Sequence, residues 1–158
     1  LITNSDIEVL GQLIINELGK ELIKQQHRAT GDLISSLDYT INLRSIGFTL
    51  EILMNDYGLF VNTGRKPGKK KVPIQALLEW IKQKGIETNN KKALGIAFAI
   101  QKTIKKEGIP TRNSRAKGKR TEFIDETLDR VDNVITSMVG DLYEKQIGIQ
   151  IDNEFVRI

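Results

Sequence analysis

Tyr39-Thr40-Ile41-Asn42-Leu43-Arg44-Ser45-Ile46-Gly47-Phe48-Thr49-Leu50-Glu51-Ile52 is the stretch on which the fold class turns. Tyr39, Ile41 and Leu43 alternate with Thr40, Asn42 and Arg44, and Phe48, Leu50 and Ile52 alternate with Thr49 and Glu51. A period of two marks strands with one buried face, and Ser45-Ile46-Gly47 supplies turn chemistry between them. The spacing predicts a β-hairpin over about 38–54. Asn55-Asp56 makes a second turn, and Tyr57-Gly58-Leu59-Phe60-Val61-Asn62-Thr63 is expected as a third strand, buried on both faces for part of its length.

Toward the N-terminus the period changes. Ile7, Leu10, Ile14, Leu18 and Leu22 recur at steps of three and four, which predicts an amphipathic helix over 5–27. Ser5 with Glu8 reads as a capping box, and Asp6 favours the positive end of the dipole. Thr30-Gly31 breaks the helix, and Asp32-Leu33-Ile34 leads into the strand region.

Toward the C-terminus, residues 64–73 hold five basic groups, two glycines and two prolines, the composition of a loop. Pro73 is expected as the first residue of a helix over 74–84, with Ile74, Leu77, Leu78, Trp80 and Ile81 inward and Gly85 as its stop. A helix over 90–107 follows, burying Ala93, Leu94, Ile96, Ala97, Ile100 and Ile104 and ending at Gly108. Residues 108–121 form a second basic loop. A long helix over 121–145 then turns Phe123, Ile124, Leu128, Val131, Ile135, Met138 and Leu142 inward, and Ile147, Ile149 and Ile151 alternate as in a short strand. The expected fold is therefore α+β: an N-terminal helix, an antiparallel three- to four-stranded sheet, three further helices and two long basic loops. One domain covers 1–146, with 147–158 as a C-terminal extension or arm.

The chain has 158 residues, no cysteine and one histidine. These counts exclude disulfides, thiolate metal sites, cysteine catalysis and multi-histidine metal centres. No run approaches the roughly 18 apolar residues that span a bilayer, so no membrane partner is expected. The chain begins at Leu1 and shows no basic head followed by an apolar run. The net charge of +4 conceals a segregation. Residues 1–56 carry 4 basic and 8 acidic side chains, 57–121 carry 17 and 3, and 122–158 carry 3 and 9. Two partners answer such a pattern: a polyanion, or another copy of the chain.

Candidate chemistry is sparse. The sequence holds no phosphate-cradling Gly-rich loop, no Gly-x-Ser-x-Gly elbow and no His-Glu-x-x-His. No catalytic residue, metal ligand or cofactor is assigned. His27, at the end of the first helix, reads as a favourable dipole contact without a triad setting. Glu122, Asp125, Glu126, Asp129 and Asp132 repeat at helical spacing. Such a face holds Mg²⁺ with phosphates, as a nuclease would, or is a solvated helix face, or meets basic loops of a neighbour. The basic side chains are Arg65, Lys66, Lys69, Lys70 and Lys71 in the first loop and Arg112, Arg115, Lys117, Lys119 and Arg120 in the second. Neither loop contains an aromatic ring for base stacking, so nucleic-acid contact there would be electrostatic and salt-sensitive.

The order of motifs carries a resemblance. Ala29-Thr30-Gly31-Asp32-Leu33-Ile34-Ser35-Ser36-Leu37 precedes the hairpin, and Tyr57-Gly58-Leu59-Phe60-Val61-Asn62-Thr63-Gly64-Arg65 follows it. Then come Pro73 with Leu78 and Trp80, Ala93-Leu94-Gly95-Ile96-Ala97-Phe98-Ala99-Ile100, Gly108-Ile109-Pro110 and Phe123-Ile124. Over residues 28–135 this succession resembles the tail-completion and neck (head–tail joining) proteins of tailed bacteriophages, the group that includes the minor tail protein Z type. The resemblance implies a small non-catalytic α+β subunit that assembles as a ring in the virion neck or upper tail. Its partners would be copies of itself and portal, adaptor or tail-tube proteins, with DNA passing through the channel. It maps Thr30-Gly31 to the turn after the first helix, Tyr57, Val61 and Gly64 to the strand entering the first basic loop, and Pro110 and Phe123 to the flanks of the second. The chain departs from the pattern at Val61-Asn62-Thr63-Gly64, where the family usually has an acid and an aromatic before Gly-Thr. The residue reading fits a ring as well, because oppositely charged surfaces pair head-to-tail. A DNA-binding module and a metal-dependent nuclease are the second and third readings.

Overall fold

The alternation from Tyr39 to Ile52 does form a hairpin. In a computed structural model of the chain, β1 (Asp38–Arg44) and β2 (Gly47–Leu53) pair antiparallel, in register from Asp38↔Leu53 to Arg44↔Gly47. Only Ser45 and Ile46 lie between the strands, and the Ile46 side chain is 91% exposed at the tip. The structure describes residues 2–27 and 31–155, with side chains as far as residue 147. Among the described residues, seven helices accompany this two-stranded sheet.

The third strand is not there. Tyr57–Thr63 is a short helix, α3 in chain order after α1 (Asn4–Lys24) and α2 (Asp32–Ser35). A short apolar run such as Leu59-Phe60-Val61 suits either period, and here the turn at Asp56 enters the α region directly, at φ −51° and ψ −35°. The Thr63 hydroxyl donates to the Leu59 carbonyl at 2.9 Å, and the Gly64 amide closes the helix on the Phe60 carbonyl at 2.8 Å. Asp32-Leu33-Ile34, which leads into the strand region, forms most of α2. Gly31 bends the chain before it at φ +80°, while Thr30 of the expected turn lies outside the described residues.

The remaining helices follow the reading more closely. They are α4 (Ile74–Gln83), α5 (Asn90–Glu107), α6 (Arg112–Arg115) and α7 (Phe123–Phe155). Pro73 caps α4 from just outside. Asn89 caps α5, its side chain accepting the Lys91 and Lys92 amides. The tail is a correction: α7 continues as helix through Phe155, where alternation at Ile147, Ile149 and Ile151 suggested a strand, and 156–158 lie outside the described residues. Six small-to-large inward positions on α5 and seven on α7 were too many for one stripe. Leu94 and Leu128 are exposed, as is part of Trp80 on α4.

The chain forms two compact units. The first comprises Leu1–Glu21, Ser36–Asn55 and Ile124–Ile158. Its α1 residues bury Ile7, Leu10, Ile14 and Leu18, each worth about 1.5–3 kcal/mol against exposure. The cap of α1 is Thr3 with Asp6, not Ser5 with Glu8. The Thr3 amide and hydroxyl donate to the Asp6 carboxylate at 2.8 and 2.6 Å, and the Asp6 amide returns to the Thr3 hydroxyl at 3.4 Å. Those bonds, with the Lys145 ammonium, hold the Asp6 carboxyl down at about 2. Lys145 pairs with Asp6 at 3.2 Å and Arg130 with Glu21 at 2.7 Å. From 6 to 21 on α1 and from 145 to 130 on α7 the steps match in length and oppose in direction, so the two helices run antiparallel. The Tyr39 ring of β1 covers Gly11 of α1, and Phe48 of β2 stacks on Tyr143 of α7 with centroids 6.4 Å apart.

The second unit comprises Leu22–Ser35 and Asp56–Phe123. Its core joins α4 to α5 through Leu77, Ile81, Ala93, Ala97 and Ile104, flanked by Val72, Ile74, Leu78, Ile96 and Ile100. Alanines at 93 and 97 let the two helices approach closely. This unit contains both basic loops.

Candidate functional site

Two helices of the second unit stop at neighbouring points, and each stops at a glycine. α3 ends at Gly64, φ +71°, and α5 ends at Gly108, φ +81°. A Cβ on Gly64 would overlap the Ile109 carbonyl oxygen, and one on Gly108 would overlap that of Arg65. Only glycine fits either place, for the close approach as well as for the left-handed backbone. Between them Arg65 and Ile109 exchange both backbone hydrogen bonds, at 2.7 and 2.8 Å. The two basic loops therefore start from one backbone bridge.

Each loop is pinned further along. In the first, the Gly68 backbone amide donates to the Lys105 carbonyl at 2.8 Å and the Gln101 side-chain Nε2 to the Val72 carbonyl at 2.6 Å, laying the segment along α5. The Arg65 guanidinium turns back to the Lys70 carbonyl. In the second, Ile109-Pro110 is cis, and Thr111 caps α6 by accepting the Ser114 amide at 3.4 Å. Glu107 receives the Arg112 amide on its carboxylate at 2.8 Å and the Arg115 guanidinium on its carbonyl at 3.3 Å. The Arg120 guanidinium reaches the Gln26 carbonyl at 3.2 Å, and the Glu122 amide reaches the Asn62 carbonyl at 2.7 Å.

A groove of about 490 Å³ lies between the loops. It is lined by Arg65 and Lys66 from the first, by Arg115, Lys119 and Arg120 from the second, and by Thr63, Thr121 and the Gly118 backbone. Among the described residues that line it there is no acid. Five cations surround one concavity, Lys119 in an ion pair with Glu122 at its edge, and together they focus a positive potential that isolated exposed lysines would not. The other basic residues singled out, Lys69, Lys70, Lys71, Arg112 and Lys117, are exposed and do not line it.

The acidic set divides. Glu122 stands outside α7 in the left-handed region, φ +61°, and pairs with Lys119 at 2.7 Å. Asp125 and Glu126 occupy the first turn of α7, and Asp129 and Asp132 are exposed further along it. Asp125, Asp129 and Asp132 keep the expected stripe; Glu122 falls outside the helix because its backbone turns at that residue. Among the described residues no group of three or more His, Asp or Glu side chains stands where it would hold a metal ion.

His27 closes α1. Its amide bonds the Leu22 carbonyl at 2.8 Å and the Gln26 amide bonds that of Ile23 at 2.9 Å, a Schellman ending with Gln26 at φ +62°. The imidazole Nε2 donates to the Arg120 carbonyl at 3.0 Å. Burial, together with the nearby Arg120 charge, draws the His27 pKa below its ordinary value against the opposing effect of that hydrogen bond.

Sequence reasoning missed Arg130. It binds Glu21, 2% exposed, at 2.7 Å and Glu17 at 3.3 Å, and Glu21 chiefly raises its pKa. The signal was present: Glu21 falls within the apolar stripe of α1, three residues after Leu18, and a carboxylate there calls for a cation.

No family model, curated protein or solved structure matches the chain. Among the described residues no helix is long and apolar enough to cross a membrane.

Proposed function

We propose that the chain is a structural virion subunit of a tailed bacteriophage, forming an oligomeric ring in the neck or at the head–tail junction around the DNA channel. One observation carries this reading: the charge segregated along the sequence is segregated between compact units. The first unit has 5 basic and 14 acidic residues, net −9, and the second 19 basic and 6 acidic, net +13. A molecule with one strongly acidic and one strongly basic unit attracts its own copies head-to-tail. Such heterologous contacts close into rings when the rotation allows. The order of sequence motifs supports the same reading and supplies the phage context, with portal, adaptor or tail-tube proteins as neighbours.

Native mass spectrometry and negative-stain imaging test it. A discrete high-mass species or an annulus is expected at high protein concentration or on a portal. A strict monomer under both conditions overturns the proposal. The second reading, a free-standing DNA-binding module, is favoured by the groove between the basic loops. It predicts duplex binding by a protein that stays monomeric.

A further inference from the structure

We infer that the two basic loops form a single seat for the phosphate backbone of duplex nucleic acid. This deepens the ring reading and rests on it for the presence of DNA beside the loops. The two loops stand more than thirty residues apart in sequence, and no local pattern ties one to the other. The geometry removes that independence. Arg65 and Ile109 are bonded backbone to backbone, the glycines before them permit that close approach, and cations from both loops line one groove.

The groove's donors select the ligand. Arg, Lys and Thr side chains are among the groups that contact phosphate oxygens. The lining offers both charged kinds and a hydroxyl: Arg65, Lys66, Arg115, Lys119, Arg120 and Thr121. With no aromatic ring in the lining, no base is stacked there, and binding depends on phosphate contacts and counterion release.

The test is a salt titration of full-length protein against a short fluorescent duplex of mixed sequence, read by anisotropy. Lys66→Gln and Lys119→Gln remove one cation from each loop, and Lys91→Gln at the far end of α5 serves as control. Each groove variant is expected to reduce the slope of log K against log salt by about 0.9, and the double variant by about twice that. The control should match the unmodified chain. Gly108→Ala, which removes no charge but pushes Arg65 away, should weaken binding at least as much as the double variant. If it fails to fold, the lysine variants decide alone. An unchanged slope in either single variant overturns the single seat. So does a ring that dissolves in the lysine variants while duplex binding holds, which would make the groove a subunit interface. Duplex binding as expected from a chain that never forms rings leaves the groove standing and removes the connector reading.

Discussion

Gln26 occupies a backbone position that favours glycine. A side chain at φ +62° costs about 1 kcal/mol, because Cβ crowds the carbonyl oxygen. Gln26→Gly is therefore expected to raise stability by about that amount, seen as a higher urea midpoint with an unchanged slope. The next residue carries a pH dependence. The folded His27 pKa lies below its ordinary value, so below about 6.5 the unfolded chain takes up a proton that the folded chain resists. This contribution to stability is complete above that pH, declines as the solution is acidified through it, and levels off once folded His27 is protonated too. His27→Gln should lose that component, so subtracting the two stability curves between pH 7.5 and 5, on the scale set by the ordinary value, isolates it. A difference independent of pH would refute the assignment.

At the scale of elements, the α1–α7 pair depends on a charge inside its seam. Arg130→Ala leaves the Glu21 carboxylate buried without its guanidinium. The expected loss is about 2–3 kcal/mol, below the 3–5 typical of fully buried pairs because Arg130 itself is partly solvated. Denaturant melts of Arg130→Ala and of Arg130→Ala with Glu21→Gln should show the second change restoring part of that loss. What was legible in the sequence follows from where periodicity dominates. The hairpin, α5 from Asn90 to Glu107 and the buried stripe of α1 rest on repeated patterns with clear ends. Residues 57–63 were misread because an apolar run as short as Leu59-Phe60-Val61 has no phase of its own and takes the form of its entry turn. The capping box slipped by two residues because Thr3, Ser5 and their carboxylate partners offer overlapping choices. The groove was half legible: its cations stood in the sequence, but the pairing of residues 65 and 109 is a contact no local pattern encodes.

For the whole molecule, a net −9 on one unit and +13 on the other makes the proposed association an electrostatic matter. Rings held this way should thin out as salt rises, since the screening length falls from about 10 Å at 0.1 M to about 3 Å at 1 M. Sedimentation at increasing salt should show the large species giving way to the monomer, and a ring indifferent to salt would point to apolar contacts instead. The glycine-bordered bridge has a consequence in time as well as in space. The amides of Arg65 and Ile109 belong to segments far apart in sequence, yet each is sheltered only while the other's carbonyl is in place. One opening event must expose both, so their hydrogen-exchange rates should rise and fall together, and a ligand that slows one should slow its distant twin by the same factor.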